Sequence, residues 1–325
     1  MSHPLRSELM HAWAGAAVAR GLLLMALAAG SAHGEPVTRR PVSPSTFHFV
    51  VSADDTSYLV LADVEKGADL PPHGPLRLTG EESLPSVIAE VSEAHLPADL
   101  RAWSKRKVVV DERCHATVAG FALVVRLVGR PDYAGITGSE WTADTVFSAG
   151  HKVLAARLDR CKGTFARAAN AAPIRVPRPV VNKEAMAAAR ADFLASDVIV
   201  QARAEQIDAE VAGAREQVYA PLVAAVRHPT TGETWISLHL RIGEAGCSDP
   251  QANVWGLYRV TERGVERMRL LQLAPQQNID ALLDTDGDGR FELLIQDDFG
   301  FSRELRSGEG EVIRRITMPI YECMC

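Results

Sequence analysis

"TWISLHLRI", residues 234–242, decides the reading of the second half of the chain. Ile236, Leu238, Leu240 and Ile242 recur with period two, and Ser237, His239 and Arg241 fall between them. Successive strand side chains point to opposite faces, so this alternation predicts a strand with one apolar and one polar face. Trp235 breaks the phase slightly. "NVWGLYRV" (253–260), "VERMRLLQL" (265–273), "NIDALL" (278–283), "FELLIQ" (291–296), "SRELRS" (302–307) and "EVIRRI" (311–316) follow. Joints as short as "TERG" and "GEG" favour antiparallel neighbours, which predicts a meander of about seven strands.

Between two of these strands lies "DTDGDGRFE", residues 284–292. Asp284, Asp286 and Asp288 sit at alternate positions, so their carboxylates can converge while the intervening residues point out. Calcium takes six to eight oxygen ligands, and a tight acidic loop supplies them. Gly289 permits the sharp turn, the Arg290 carbonyl offers a further oxygen, and Glu292 can close the site directly or through water. An EF-hand would need Glu at its twelfth position, where Ile295 stands, and helices where strands are expected.

The loop resembles the FG-GAP or VCBS type of repeat found in integrin-like β-propellers and many exported bacterial proteins. There a D-x-D-G-D-G-x-x-[DE]-[LIV] loop joins two strands and binds calcium. The match lies at Asp284, Asp286, Gly287, Asp288, Gly289, Glu292 and Leu293, within residues 278–300 only. This chain carries a single copy and has Glu292 where Asp is commoner. The resemblance implies a calcium-binding hairpin, and neither a propeller nor an activity.

Upstream, "FHFVVSA" (47–53), "SYLVLADV" (57–64), "KVVVD" (107–111) and "ATVAGFALVVRLVG" (116–129) read as strands, "HKVLAARL" (151–158) as strand or helix, and "ESLPSVIAEVSEAHLPADLRAW" (82–103) as short helices. Pro173, Pro177 and Pro179 mark a linker or edge segment. Asn182 then caps an Ala-rich helix. Val200, Ala204, Ile207, Val211, Ala214 and Val218 line one face of a further helix, expected to lie on the protein's own core. The expected class is α+β: a mixed domain over 35–172, a Pro-marked linker with helix over 173–217, and an antiparallel β domain over 218–325.

Residues 1–34 read as an export signal. Arg6 and Arg20 precede or flank the apolar "GLLLMALAA" (21–29), and small residues allow cleavage after Ala32 or Gly34. The competing reading is an uncleaved anchor, although the apolar run is shorter than the ~20 residues a bilayer requires. A periplasmic or extracellular location is expected, with no membrane span after cleavage. In such a compartment disulfides persist. Of five cysteines, Cys114 is expected to pair with Cys161, and Cys247 with Cys323 or Cys325.

The net charge of −6 and the lack of a long basic run beyond "WSKRK" (103–107) argue against a nucleic-acid partner. No G-x-S-x-G, H-E-x-x-H or G-x-x-x-x-G-K-[ST] motif occurs. His48, His151 and His228 have no Cys or His at ligand spacing, His239 sits on the polar face of a strand, His115 abuts the expected disulfide, and Trp103, Trp141, Trp235 and Trp255 read as core. Asp111, Glu112, Asp297 and Asp298 offer carboxylates, but adjacent acids on a strand face opposite ways. The expectation is an exported, non-enzymatic binding or envelope protein with an unidentified protein or small-molecule partner; the alternative is a secreted hydrolase with scattered catalytic residues.

Overall fold

The structure is a computed structural model describing residues 47–53, 55–64, 68–79, 86–126, 142–210, 220–242, 252–274, 277–297 and 302–317. Residues 1–34, expected to be an export signal, and Trp141, Val211, Ala214, Val218, Cys247, Asp298, Cys323 and Cys325 lie outside the described residues. Strands β1 (His48–Ala53), β2 (Thr56–Val64), β3 (His73–Thr79) and β4 (Ser86–Val91) come first. A 3-10 turn at Glu93–His95 and the one-turn helix α1 (Ala98–Arg101) lead to β5 (Lys107–Val110) and the long β6 (Cys114–Arg126). Helix α2 (Ala143–Ala149), β7 (His151–Leu158) and β8 (Phe165–Ala168) complete the first half.

Six of these strands close a ring in the order β6-β5-β8-β1-β2-β7 and back to β6, with every neighbour antiparallel. The length of β6 makes closure possible: Cys114–Thr117 pair with β5, while Phe121–Arg126 pair with β4, which carries β3 outward. Alternation along each strand then separates two cores. Val50, Leu59, Leu61, Val108, Val110, Leu123, Leu154 and Ala166 fill the ring with Leu96 and Trp103, which the β4–β5 connection supplies. Phe49, Val51, Tyr58, Val60, Val124, Val153 and Phe165 face outward. The disulfide Cys114–Cys161 joins the start of β6 to the β7–β8 loop, with Cα atoms 5.9 Å apart.

The short β9 (Arg178–Pro179) and helices α3 (Lys183–Leu194) and α4 (Asp197–Glu210) lead into β10 (Leu222–Arg227), β11 (Thr234–Ile242), β12 (Ala252–Thr261) and β13 (Gly264–Gln272). These strands form a five-stranded sheet in the order β13-β12-β11-β10-β9. Strands β14 (Gln277–Leu283), β15 (Glu292–Asp297), β16 (Ser302–Arg306) and β17 (Val312–Thr317) form a separate four-stranded meander. That meander lies between the ring and the five-stranded sheet. Its Leu283, Leu294, Leu305 and Ile316 join the outward core of the ring. Its Leu282, Phe291, Leu293 and Ile295 pack on Trp235, Trp255, Leu257 and Leu273. Helices α3 and α4 cover the far face of the five-stranded sheet through Ala185, Ala189, Phe193, Ile199 and Ala202.

The expected α+β class is therefore corrected to a mostly β protein, with 55% strand, 16% helix and three antiparallel sheets. The helices form a covering layer and are not a linker. Residues 86–91, expected to be helical, are β4, whose Val87, Ile88, Ala89 and Val91 are buried. A strand enclosed on both faces reads as a continuous apolar run, so period alone does not separate it from a helix. The helical stripe is also corrected: α4 buries Ile199 and Ala202, while Val200 is 54% exposed. Ala204 is exposed as well, and Val211, Ala214 and Val218 lie outside the described residues.

The polar face expected of β11 is an internal seam. Trp235 is buried on it, Ser237 Oγ accepts a bond from Trp255 Nε1 at 2.8 Å, and His239 Nε2 meets Asn253 Oδ1 at 2.6 Å. Arg241 Nη2 donates to the Gln277 carbonyl at 2.9 Å, crossing from one sheet to the next. On the other face Asp192 of α3 accepts from Arg267 Nε and from Tyr258 Oη, each at 2.8 Å, and the guanidinium above all holds the carboxyl below its usual range. Gly256 permits this close approach, since a Cβ there would lie 2.8 Å from the Phe193 ring. Gly256→Ala is expected to cost about 1–3 kcal/mol in denaturant unfolding through overpacking. An unchanged midpoint would mean that α3 docks less tightly.

Candidate metal centre

The last pair of the β14–β15 hairpin is Leu283 with Glu292, so residues 284–291 form the hairpin loop, flanked by strands. Gly287 (φ 79°) and Gly289 (φ 86°) adopt the left-handed conformation that glycine tolerates without a Cβ clash. The loop folds on its own carboxylates. Asp284 Oδ1 accepts from Gly287 N at 2.6 Å, Asp286 Oδ1 from Asp288 N at 3.0 Å, and Asp288 Oδ1 from Arg290 N at 2.8 Å. One ligand oxygen from each of Asp284, Asp286 and Asp288 lies within 4.8 Å of the others, so this group could hold a metal ion. A carboxylate oxygen that accepts one hydrogen bond keeps a second lone pair for coordination. The donor set is all oxygen, which suits a hard cation such as calcium. Asp284 is fully buried and the other two are exposed, so the site opens toward water on one side.

Glu292 stands apart from that trio. Its carboxyl is buried beneath the loop and accepts from Thr285 N at 2.7 Å. Burial pushes it up to about 7; the Thr285 bonds oppose that rise, and Asp286 and Asp288 add to it by repulsion. Partial desolvation within the loop raises Asp286 even though its side chain reaches water, and Asp288 and Asp284 add to the effect by repulsion. The Arg290 guanidinium turns away to Glu309 at 3.0 Å. The Arg290 backbone favours the charged form of the nearby His228 ring, without a hydrogen bond to its Nε2.

Three residues at the site carried no signal in the sequence. Thr230 Oγ1 donates a short hydrogen bond to Asp284 Oδ2, and Arg175 Nη1 donates to Thr230 Oγ1 at 2.6 Å. Arg175 and Asp284 also exchange backbone bonds in both directions at 2.9 Å, a lone β-bridge between the Pro-marked segment and the loop. His228 is buried against Phe291, with ring centroids 4.3 Å apart. Its Nδ1 accepts from the backbone N–H of Thr230 (3.1 Å) and Thr231 (3.3 Å), which assigns the neutral Nε2–H tautomer. Burial lowers its pKa, against the pull of Asp284 and Glu233. Thr230 and Arg175 stand 54 and 109 positions before Asp284, too far for any local pattern to link them.

The other candidates serve packing. His48 Nδ1 lies 3.1 Å from the Val60 carbonyl and its ring meets Trp103 edge-on at 4.6 Å. His151 Nε2 lies 3.4 Å from Asp63. Asp111 and Glu112 occupy the β5–β6 turn, where each holds backbone groups of other segments. Asp297 accepts from Ser302 N at 2.6 Å. Trp103, Trp235 and Trp255 are buried core residues. No helix among the described residues is long and apolar enough to cross a membrane.

No family model matches the chain. Searches of curated proteins and of solved structures likewise give no match.

Proposed function

We propose that Asp284, Asp286 and Asp288 hold a calcium ion in a structural role, with the Arg290 carbonyl and Glu292 completing the oxygen set directly or through water. The observation that carries this reading is the convergence of three carboxylates on one hairpin loop, ligand oxygens within 4.8 Å. The loop touches the segment leaving the ring through Arg175 and the β10–β11 turn through Thr230. An ion there would fix the junction of the three sheets. The protein so stabilised is read as an exported binding or envelope protein, a reading supported by the signal-like residues 1–34 and by a disulfide that suits a non-reducing compartment.

Calcium at about a hundred times its dissociation constant is expected to add about 2.7 kcal/mol of stability. For a chain of this size that corresponds to a rise of roughly 4 °C in Tm. Asp286→Ala, at an exposed position, is expected to abolish the rise while leaving the chelated protein's Tm nearly unchanged. Identical melting curves of the unaltered protein in calcium and in chelator would falsify the reading.

A further inference from the structure

We propose that Arg175 is the loop's built-in counter-cation and competes with the divalent ion for the Asp284 carboxylate, which sets the affinity of the site. The inference rests on the calcium reading above and deepens it.

The guanidinium stands at the loop. Its Nη1 is 2.6 Å from Thr230 Oγ1, 3.5 Å from the Gly287 carbonyl and 3.9 Å from Asp284 Oδ2. A Cβ on Gly287 would come within 3.1 Å of the Arg175 Cζ and Nη1, so the loop backbone closes directly under the group. Asp284 is the fully buried carboxylate of the trio, and a buried negative charge requires a partner. Arg175 is the positive side chain paired with it among the described residues.

A divalent ion coordinated by Asp284 would share that carboxylate with a fixed positive charge, and like charges a few ångströms apart repel. Relief is available. The Arg175 side chain is 44% exposed and can swing into water, while its backbone stays held by the two 2.9 Å bonds to Asp284. Loading would therefore exchange one counter-charge for another without opening the bridge between segment and loop. Competition of this kind weakens the site toward the range of about 0.1–1 mM typical of extracellular calcium modules.

The test is calcium titration calorimetry on the chelator-stripped full chain, with melting curves in chelator and in saturating calcium. Arg175→Gln removes the charge and keeps an amide; Arg175→Lys keeps the charge. Because the bridge is made by backbone atoms, both variants retain the fold. Arg175→Gln is expected to bind calcium about tenfold more tightly, a surface-charge effect enlarged by the buried partner. Arg175→Lys should stay within about threefold of the unaltered protein. In chelator Arg175→Gln should melt lower, and the gap should close in calcium. Equal affinities for the unaltered and Gln proteins would overturn the competition and leave the calcium site standing. No heat and no melting shift in any of the three would overturn the calcium reading and the competition together.

Discussion

Replacing Arg167 with alanine is expected to lower the unfolding free energy by about 3–5 kcal/mol, the loss typical of breaking a buried ion pair from one side. Arg167 is 7% exposed. Its Nε and Nη2 donate to the two oxygens of Glu112 at 2.6 and 2.9 Å, and its Nη1 donates to the carbonyls of Ala168, Ala169 and Ala171. Glu112 also accepts from Ile174 N at 3.1 Å, which ties the segment leaving the ring to the β5–β6 turn. That turn contains two consecutive non-glycine residues in the left-handed region, Asp111 (φ 46°) and Glu112 (φ 54°). Such backbone costs about 1–3 kcal/mol per residue and persists where the surroundings over-determine it. Here Asp111 Oδ1 takes Thr164 N, Thr164 Oγ1 and Phe165 N. Urea unfolding of Arg167→Ala measures the loss directly. The double change Arg167→Met with Glu112→Leu should recover at least about 1 kcal/mol, because no carboxylate is then left alone. A single-variant loss below about 1 kcal/mol would place the pair in the weak surface class instead.

The metal-free protein is expected to lose about 3 kcal/mol of stability as pH rises through the range set by Glu292. The carboxyl is raised from 4.5 to about 7, and each pH unit between those values is worth 1.36 kcal/mol. The folded state holds a proton that the unfolded chain releases near 4.5. The contribution is therefore full below 4.5 and is lost as pH rises through about 7. Glu292→Gln should flatten this slope. Calcium should flatten it too, because a nearby divalent charge favours the ionised carboxyl. His228 acts in the opposite sense: its lowered pKa means stability present above the ordinary 6.5 and lost as pH falls through the folded value. Chemical denaturation in chelator at several values between about pH 4 and pH 8 separates the two. A Glu292-dependent stability that climbs with pH would contradict the burial of this side chain.

How much of this was legible follows from how far each signal reaches along the chain. The acidic loop and its flanking strands are local, with Leu283 pairing Glu292 nine residues on, and spacing alone placed them. The Cys114–Cys161 bridge was readable because the distant cysteines lie outside that half. Ring closure was not readable. It depends on β6 meeting β7 about thirty residues away while its opposite edge serves β5 and β4 in turn. The α+β expectation failed for a related reason: β4 and β7 are enclosed on both faces and lose the alternation that marks a half-exposed strand. The seam on β11 misled for the opposite cause. Ser237, His239 and Arg241 look like residues meant for water, yet their partners Trp255, Asn253 and Gln277 come from β12 and β14. At the candidate site Asp284, Asp286 and Asp288 could be named from sequence, whereas Arg175 and Thr230 arrive through tertiary folding.

The four-stranded meander is synthesised after both layers that it separates. Until β14–β17 emerge, the outward ring residues Phe49, Val51 and Phe165 and the sheet residues Trp235 and Trp255 have no covering partner. The nascent protein thus carries two sticky, half-finished surfaces, and only its final strands weld them. A chain shortened before residue 277 would forfeit both cores at once and clump, whereas delivery across a membrane as an unfolded thread would let all the layers assemble together on the far side.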